Sequence, residues 1–185
     1  MSPRMPKTLN LGAGRDDFIP EQYKRRSKVL SLDIDPGANP HILYDARKLE
    51  TYEADTFNAI YASHMLEHFH LHEVPLVLKG AFHILRAKGS IEIVVPDIIA
   101  AFKICQEKDF DLDTPLGYTA RNEICLLDLI YGWQIMVGRS PEMLHKTAFS
   151  RGMLIRLLSE AGFERASAWE VNRSLEIYAY GFKAG

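Results

Sequence analysis

The 185-residue sequence predicts an α/β domain: a mostly parallel, twisted sheet of seven strands, helices on both faces, and an antiparallel hairpin at the C-terminal end. Two observations carry this. Five short apolar runs alternate with helix-like stretches through the first half, the pattern of strands joined by helical crossovers. Two further strand-like runs, 163–170 and 175–182, stand close together near the C-terminus. A parallel crossover needs a dozen or more residues, so these two must pair antiparallel.

The first strand is Lys7–Leu11, which runs into Gly12-Ala13-Gly14. Pro20–Arg26 reads as a short helix, and Lys28–Leu32 as a second buried strand that continues into Asp33-Ile34-Asp35. His41–Leu43 and Phe57–Ala62 follow as strands. Leu71–Leu85 is a longer helix, because Val74, Leu78, Ala81, Phe82 and Leu85 recur at helical spacing. Ala87-Lys88-Gly89 reads as a turn before the strand Ser90–Val95, which Pro96 ends for want of a backbone N–H.

Asp97–Lys108 returns to helical character, Asp109–Gly117 is polar and loop-like, and Asn122–Val137 reads as one apolar helix. The block at about 109–145 therefore interrupts the rhythm. Insertions there tend to be lids or substrate walls, because ligands gather at strand C-termini in open α/β sheets; a helix that merely covers the sheet fits equally. The rhythm then restarts. Ser150 is a candidate N-cap, Met153, Leu154, Leu157 and Leu158 form an apolar stripe, and Gly162 is a stop. Asn172-Arg173 joins the last two strands.

Length and a 47% hydrophobic content fit one domain over 1–185, and a net charge of −2 excludes a nucleic-acid footprint spread over the surface. Lys24, Arg25, Arg26 and Lys28 form the one basic cluster and read as a solvated helix face. Cys105 and Cys125 lack metal-ligand spacing and read as free thiols in a reducing compartment. No apolar run approaches the roughly 18 residues of a membrane span, and the N-terminus lacks a signal h-region, so the expected location is the cytoplasm.

The glycine turn after the first strand and the carboxylates after the second suit a cofactor bearing a nucleoside. Glycines allow close backbone approach, and an acid at the next strand tip can accept hydrogen bonds from a ribose diol. Asp33 and Asp35 alternate about Ile34, so one of them can face the ribose. A pyrophosphate fingerprint would place a third glycine near position 17, where Asp16-Asp17 stands instead. Two acids there would repel a diphosphate, whereas a sulfonium cofactor tolerates them.

Several stretches in order, LNLGAG (9–14), LDIDP (32–36), YDARKL (44–49), FNAIYASHMLEH (57–68) and LRAKGSIEIVVPD (85–97), carry a family likeness. With YGWQ (131–134), LHKTAF (144–149) and LLSEAGF (157–163), the chain resembles small class I S-adenosylmethionine-dependent methyltransferases of the type 11 kind. That resemblance implies a Rossmann-like class I methyltransferase fold and S-adenosylmethionine as cofactor. It implies that Leu11, Gly12, Ala13 and Gly14 line the methionine moiety, that Asp33 grips the ribose with Ile34 against the adenine, and that Asp45 and Ala46 face the adenine amino edge. Ser63 and His64 would face cofactor and substrate. Two positions depart from the family's usual pattern: Asp16 replaces a common glycine, and Ala87-Lys88-Gly89-Ser90 replaces a Pro-Gly-Gly turn. The chain as given also starts at the first strand, where larger relatives have a covering helix, and the 109–145 block is expected to take that place.

His64-x-x-Glu67-His68 also matches an inverted zinc-protease signature. That signature needs both histidines in one regular helix and a third ligand further on, and His64 abuts a strand. The expectation is therefore no designed metal site, with His68, His70 and His72 able to take up metal adventitiously and Glu67 and His68 tying the fourth strand to its neighbours.

For the chemistry, His145 ends the inserted block where a lid would meet the strand tips, and is the candidate base or acceptor-orienting group beside His64. Tyr131 and Gln134 are candidate pocket walls. The expected activity is methyl transfer to a small-molecule or glycan acceptor. Alternatives are a cofactor-binding partner subunit without transferase activity and a hydrolase using the histidine run as metal ligands; a NAD-linked oxidoreductase lacks its third glycine.

Overall fold

The computed structural model describes residues 5–15, 17–118, 123–138, 140–171 and 175–185. Its elements in chain order are β1 (Lys7–Leu11), α1 (Glu21–Arg26), β2 (Lys28–Asp33), β3 (Ile42–Leu43), β4 (Phe57–Ser63), α2 (Val74–Ile84), β5 (Leu85–Pro96) and α3 (Ile98–Lys108). There follow β6 (Gly117–Tyr118), β7 (Glu123–Ile124), α4 (Leu126–Tyr131), α5 (Gln134–Val137), α6 (Arg151–Glu160), β8 (Glu164–Val171) and β9 (Glu176–Phe182).

Seven strands form one sheet in the order β3-β2-β1-β4-β5-β9-β8. The first five are parallel, and β9 runs antiparallel to both β5 and β8. The expected C-terminal hairpin is there; its Asn172-Arg173 connection lies outside the described residues. Chain order reverses direction between β1 and β4, the switch point at which strand tips splay and open α/β sheets hold ligands.

Alternation along the central strands covers both faces. Ile60, Ala62, Ile91, Ile93 and Val95 join the main core with α2 and α6, whereas Tyr61 and Val94 pack with Ile19 and Tyr23 on the α1 side. On that second face Tyr23 donates its hydroxyl to the buried Glu92 at 2.5 Å. Helix α2 buries Val74, Val77, Leu78, Ala81 and Ile84, one stripe at i, i+3, i+4 spacing. Each of its larger side chains contributes about 1.5–3 kcal/mol on burial. A third cluster, Ala101, Cys105 and Leu126, seats the inserted block on α3.

Two expectations are corrected. Strand β5 begins at Leu85, not Ser90: the Ala87-Lys88-Gly89 segment is a bulge within the strand, with Lys88 in the left-handed region and its N–H held by the Lys183 carbonyl at 3.0 Å. And 122–137 is not one helix. Glu123–Ile124 pairs with Gly117–Tyr118 as a hairpin, Cys125 caps α4, and the chain breaks again at Gly132-Trp133. A side chain at Gly132 would meet the Met143 carbonyl at 2.3 Å, so the close return of the chain forces the break. Both cysteines are free, and among the described residues no helix is long and apolar enough to cross a membrane.

Candidate functional site

The buried end of β1 delivers Leu11 to the switch point, and Gly12 and Gly14 follow with φ of 71° and 59°. The two glycines serve different ends. A Cβ on Gly12 would lie 2.2 Å from Met65 Cγ, so its bareness lets β1 pass the loop after β4. A Cβ on Gly14 would meet nothing within 4 Å, so that glycine leaves open space beside the backbone. The turn is pinned by Gly12 N–H, which donates to the Leu32 carbonyl at 2.8 Å, and by Gly14 N–H, which donates to Asp33 Oδ2 at 2.8 Å.

Asp33, the last residue of β2, also accepts the Asp35 N–H on Oδ1 at 2.9 Å. Asp35 turns elsewhere: it accepts the Gly37 N–H at 2.7 Å and stands 3.6 Å from Arg15. Of the two acids, Asp33 is the one beside the open glycine. Ile34 between them is 58% exposed, an apolar side chain presented to whatever lies over the tip. Asp17 accepts a hydrogen bond from Asn10 at 2.8 Å and so braces β1; Asp16 lies outside the described residues.

Asp45 caps the 3-10 turn Ala46–Thr51 and is occupied by Arg47, whose side chain binds both carboxylate oxygens at 2.8–3.2 Å and reaches Glu73 at 2.9 Å. Those hydrogen bonds hold the Asp45 carboxyl below its ordinary value. Its oxygens thus anchor the loop, and the buried Ala46 follows directly.

At the tip of β4, Ser63 pairs in register with Val94, and His64 leaves the strand at φ 49° with its N–H on the Val94 carbonyl at 2.9 Å. A left-handed residue with a Cβ is strained by about 1–2 kcal/mol, which surrounding contacts must hold in place. The contacts are two carboxylates: Glu176 at 2.8 Å from Nε2 and Glu67 at 3.3 Å from Nδ1. Burial pulls the imidazole down, but the hydrogen bond it makes to Glu176 and the charge of Glu67 beside it outweigh that and raise the pKa to about 10. The two carboxylates thus favour the His64 cation, which suits charge and orientation better than proton abstraction.

Glu67 lies on the 3-10 turn Leu66–His68 and is 1% exposed. Neither of its oxygens accepts a well-aligned hydrogen bond from a described residue. Burial would raise its pKa, but the pairing with His64 reverses that and favours the carboxylate. The end of the inserted block docks directly on it: the Glu67 carbonyl accepts the N–H groups of Lys146 at 2.7 Å and Thr147 at 3.2 Å, and the Thr147 hydroxyl donates to the Phe69 carbonyl at 2.7 Å. His145 arrives beside His68, ring centroids 5.1 Å apart. Its Nδ1–H donates to the Leu129 carbonyl at 2.9 Å, which leaves the lone pair on Nε2. Burial holds the His145 pKa below the ordinary value, against the field of Glu67, so the ring is neutral at pH 7.

The structure thus brings Leu11–Gly14, Asp33 and Ile34 together at the switch point, and Glu67, His68 and His145 together beyond β4. Tyr131 is exposed, and the Gln134 side chain donates to the Gly132 carbonyl at 2.7 Å. Sequence reading passed over Glu67 as a plain tether; its place in the middle of an HxxEH run was the available signal. Glu176 was missed altogether, since nothing in a lone glutamate opening a strand announces a partner 112 residues away.

A family model described as a methyltransferase domain matches residues 2–168. No curated protein matches the chain in sequence. Similar solved structures include an S-adenosylmethionine-dependent methyltransferase from Archaeoglobus fulgidus: TM-score 0.64, 13% identity, covering 97% of this chain and 87% of that one. A second is the Burkholderia thailandensis 1,6-didemethyltoxoflavin-N1-methyltransferase with bound 1,6-didemethyltoxoflavin and S-adenosylhomocysteine: TM-score 0.59, 18% identity, covering 97% and 72%. A third, from Methanosarcina mazei, gives a TM-score of 0.58 at 15% identity, covering 98% and 94%. At such identities these likenesses establish the shared fold.

Proposed function

This chain belongs to the methyltransferase domain family, and on that premise we propose that it moves a methyl group from S-adenosylmethionine to a small-molecule or glycan acceptor beyond the tips of β4 and β5. The observation that carries the reading is the Gly14–Asp33 pair: an open glycine hydrogen-bonded to a carboxylate at the switch point, with Ile34 exposed beside it. That set suits a ribose diol and an adenine face, and it offers no phosphate cradle. Leu11, Gly12, Ala13 and Gly14 would flank the methionine end, with Ser63 facing it from β4; Asp45 sets the loop that carries Ala46 to the adenine edge.

When bound, the cofactor supplies a methyl carbon already activated on a sulfonium, to which the acceptor's lone pair bonds as the C–S pair stays with sulfur. The protein's part is mainly alignment, which can supply roughly 7–11 kcal/mol, against about 3–5 kcal/mol from a general base. We assign His145, held by the Leu129 carbonyl, to orienting the acceptor, and His64 to holding positive charge against Glu67.

A concavity of about 410 Å3 opens at the end of β5 and the start of α6, lined by Asp97, Ser150, Arg151, Ile155, Glu170 and Ile177. Its size and mixed lining suit a polar small molecule, and its lining is separate from Asp33, His64 and His145. The Burkholderia neighbour likewise carries a small molecule bound, which supports that class of acceptor here. We read 1–185 as one domain whose 109–145 block covers the acceptor side, and the free thiols as fitting a reducing cytoplasm.

The testing experiment is a thermal-shift and calorimetric screen against S-adenosylmethionine, S-adenosylhomocysteine and NAD. The first two should bind and NAD should not. With an acceptor in hand, His145→Ala should lower turnover about 10²-fold or more while leaving S-adenosylhomocysteine affinity unchanged; equal loss of both would refute its role.

A further inference from the structure

We infer that Glu67, His68 and His145 form a binding site for one divalent first-row transition ion, zinc being the natural probe, with a coordination position left open toward the acceptor. This revises the expectation that the histidine run lacks a designed metal site. The objection was that His64 abuts a strand, and it stands for His64; this site uses Glu67 in its place, and the inserted block supplies the third ligand from 77 residues beyond His68.

Three independent features point to an ion. The first is geometry: one ligand atom from each of the three residues lies within 4.8 Å of the others. Some point therefore lies within about 2.8 Å of all three atoms, so a side-chain contraction of under about 1 Å reaches zinc–nitrogen and zinc–oxygen bond lengths near 2.0–2.2 Å.

The second is the outer layer. His145 Nδ1–H donates to the Leu129 carbonyl at 2.9 Å, and His68 Nδ1 faces the Leu144 carbonyl at 3.2 Å. A carbonyl only accepts, so each ring is held with its proton on Nδ1 and its lone pair on Nε2. Metal-binding histidines are oriented in this way, their second nitrogen donating to a backbone carbonyl or carboxylate.

The third is Glu67. A carboxylate 1% exposed, with neither oxygen well hydrogen-bonded among the described residues, is costly to bury. His64 stands against Oε1 at 3.3 Å, and a carboxylate has a second oxygen, so the ion pair and metal ligation are compatible. A cation against that carboxylate supplies the compensation the protein groups leave incomplete.

The donor set chooses the ion. Two imidazoles and a carboxylate favour zinc or its first-row neighbours over magnesium and calcium, which prefer all-oxygen shells. Three protein ligands rather than four leave the open position typical of catalytic sites. Its natural occupant is an oxygen of the acceptor, a hydroxyl or a carboxylate. That last step rests on the methyltransferase reading above; ion binding itself does not.

The test uses the untagged full-length chain, stripped with chelator and titrated with zinc by calorimetry, with the retained metal counted after gel filtration. One ion per chain is expected. Affinity should fall at least about tenfold in Glu67→Gln and in His145→Ala. It should be unchanged in the His70→Ala/His72→Ala double variant, which removes the exposed stacked pair of rings 5.7 Å apart. Circular dichroism checks folding; if Glu67→Gln fails to fold, His145→Ala, a partly exposed position on the docked segment, decides the same question. No stoichiometric binding, or binding that survives His145→Ala and vanishes with His70 and His72, overturns the site. S-adenosylhomocysteine affinity measured on the same samples separates the two proposals: cofactor binding without metal sinks the ion site alone, and metal binding without cofactor sinks the methyltransferase reading alone.

Discussion

Replacing Asp33 by alanine tests the cofactor crevice most directly. Each carboxylate oxygen can accept about two hydrogen bonds. In the structure Oδ2 accepts one from Gly14 N–H and Oδ1 one from Asp35 N–H, which leaves one position on each oxygen for the two ribose hydroxyls. A hydrogen bond to a charged group contributes about 1.5–3 kcal/mol. The hydroxyls freed by the substitution return to water at a partly exposed site, so the net loss should be of the order of a single such bond rather than two. Asp33→Ala should therefore weaken S-adenosylhomocysteine binding by roughly 1.5–3 kcal/mol, a rise in Kd of about 10- to 150-fold. Isothermal calorimetry on folded protein reads this. Asp35→Ala is the matched control: its carboxylate serves Gly37 and an exposed Arg15, so affinity should change by less than about threefold. A folded Asp33→Ala variant with parental affinity, or an Asp35→Ala variant that loses as much, would refute the assignment.

Other substitutions probe the frame. Gly14→Ala meets no neighbour and should cost about 1–2 kcal/mol of stability for its left-handed backbone, whereas Gly12→Ala also collides with Met65 and should cost about 1–3 kcal/mol more; urea denaturation giving the reverse order would be decisive against this reading. Arg47→Met removes the partner whose hydrogen bonds lower the folded-state pKa of Asp45 and Glu73. A depressed carboxyl contributes stability above its unfolded value, about 3.9 for Asp and 4.3 for Glu, and loses it as pH falls through the folded value. The gap between parent and Arg47→Met should thus be full at pH 7 and shrink below about pH 4, and a gap independent of pH would contradict the pairing. Lys183→Met removes an ammonium, 18% exposed, that donates to the Phe82 and Leu85 carbonyls at 3.0 and 2.6 Å and pairs with Asp55 at 3.0 Å. It should destabilise the protein by about 1–3 kcal/mol, and a null result in urea would remove the lysine from the frame.

What the sequence disclosed followed the range of the forces involved. Strands such as Lys7–Leu11 and Phe57–Ser63 were legible because a buried strand writes its burial into a short contiguous run. Alternation about Ile34 left Asp33 and Asp35 both open, and the family resemblance favoured Asp33. The bulge at Lys88 was not, since its left-handed residue is stabilised by Lys183, 95 positions further on. The same holds for the break at Gly132, imposed by the Met143 carbonyl on a stretch whose own apolar pattern favours a continuous helix. The meeting of Glu67 with His145 was the least legible part. It depends on two backbone N–H groups finding one carbonyl, and backbone groups are common to every residue and leave no compositional trace.

The two-pronged grip of the Glu67 carbonyl on Lys146 and Thr147 divides the chain into a chassis and a cassette latched onto it. Leu126 is buried at one end of the cassette and the latch closes the other, so the exposed Tyr131, Ile135, Met143 and Leu144 between them can be rewritten without shifting the strand tips. Grafting foreign loops between those anchors, with Leu129 and His145 kept, is thus expected to change the acceptor without loss of S-adenosylhomocysteine affinity, an expectation that rests on the proposed function.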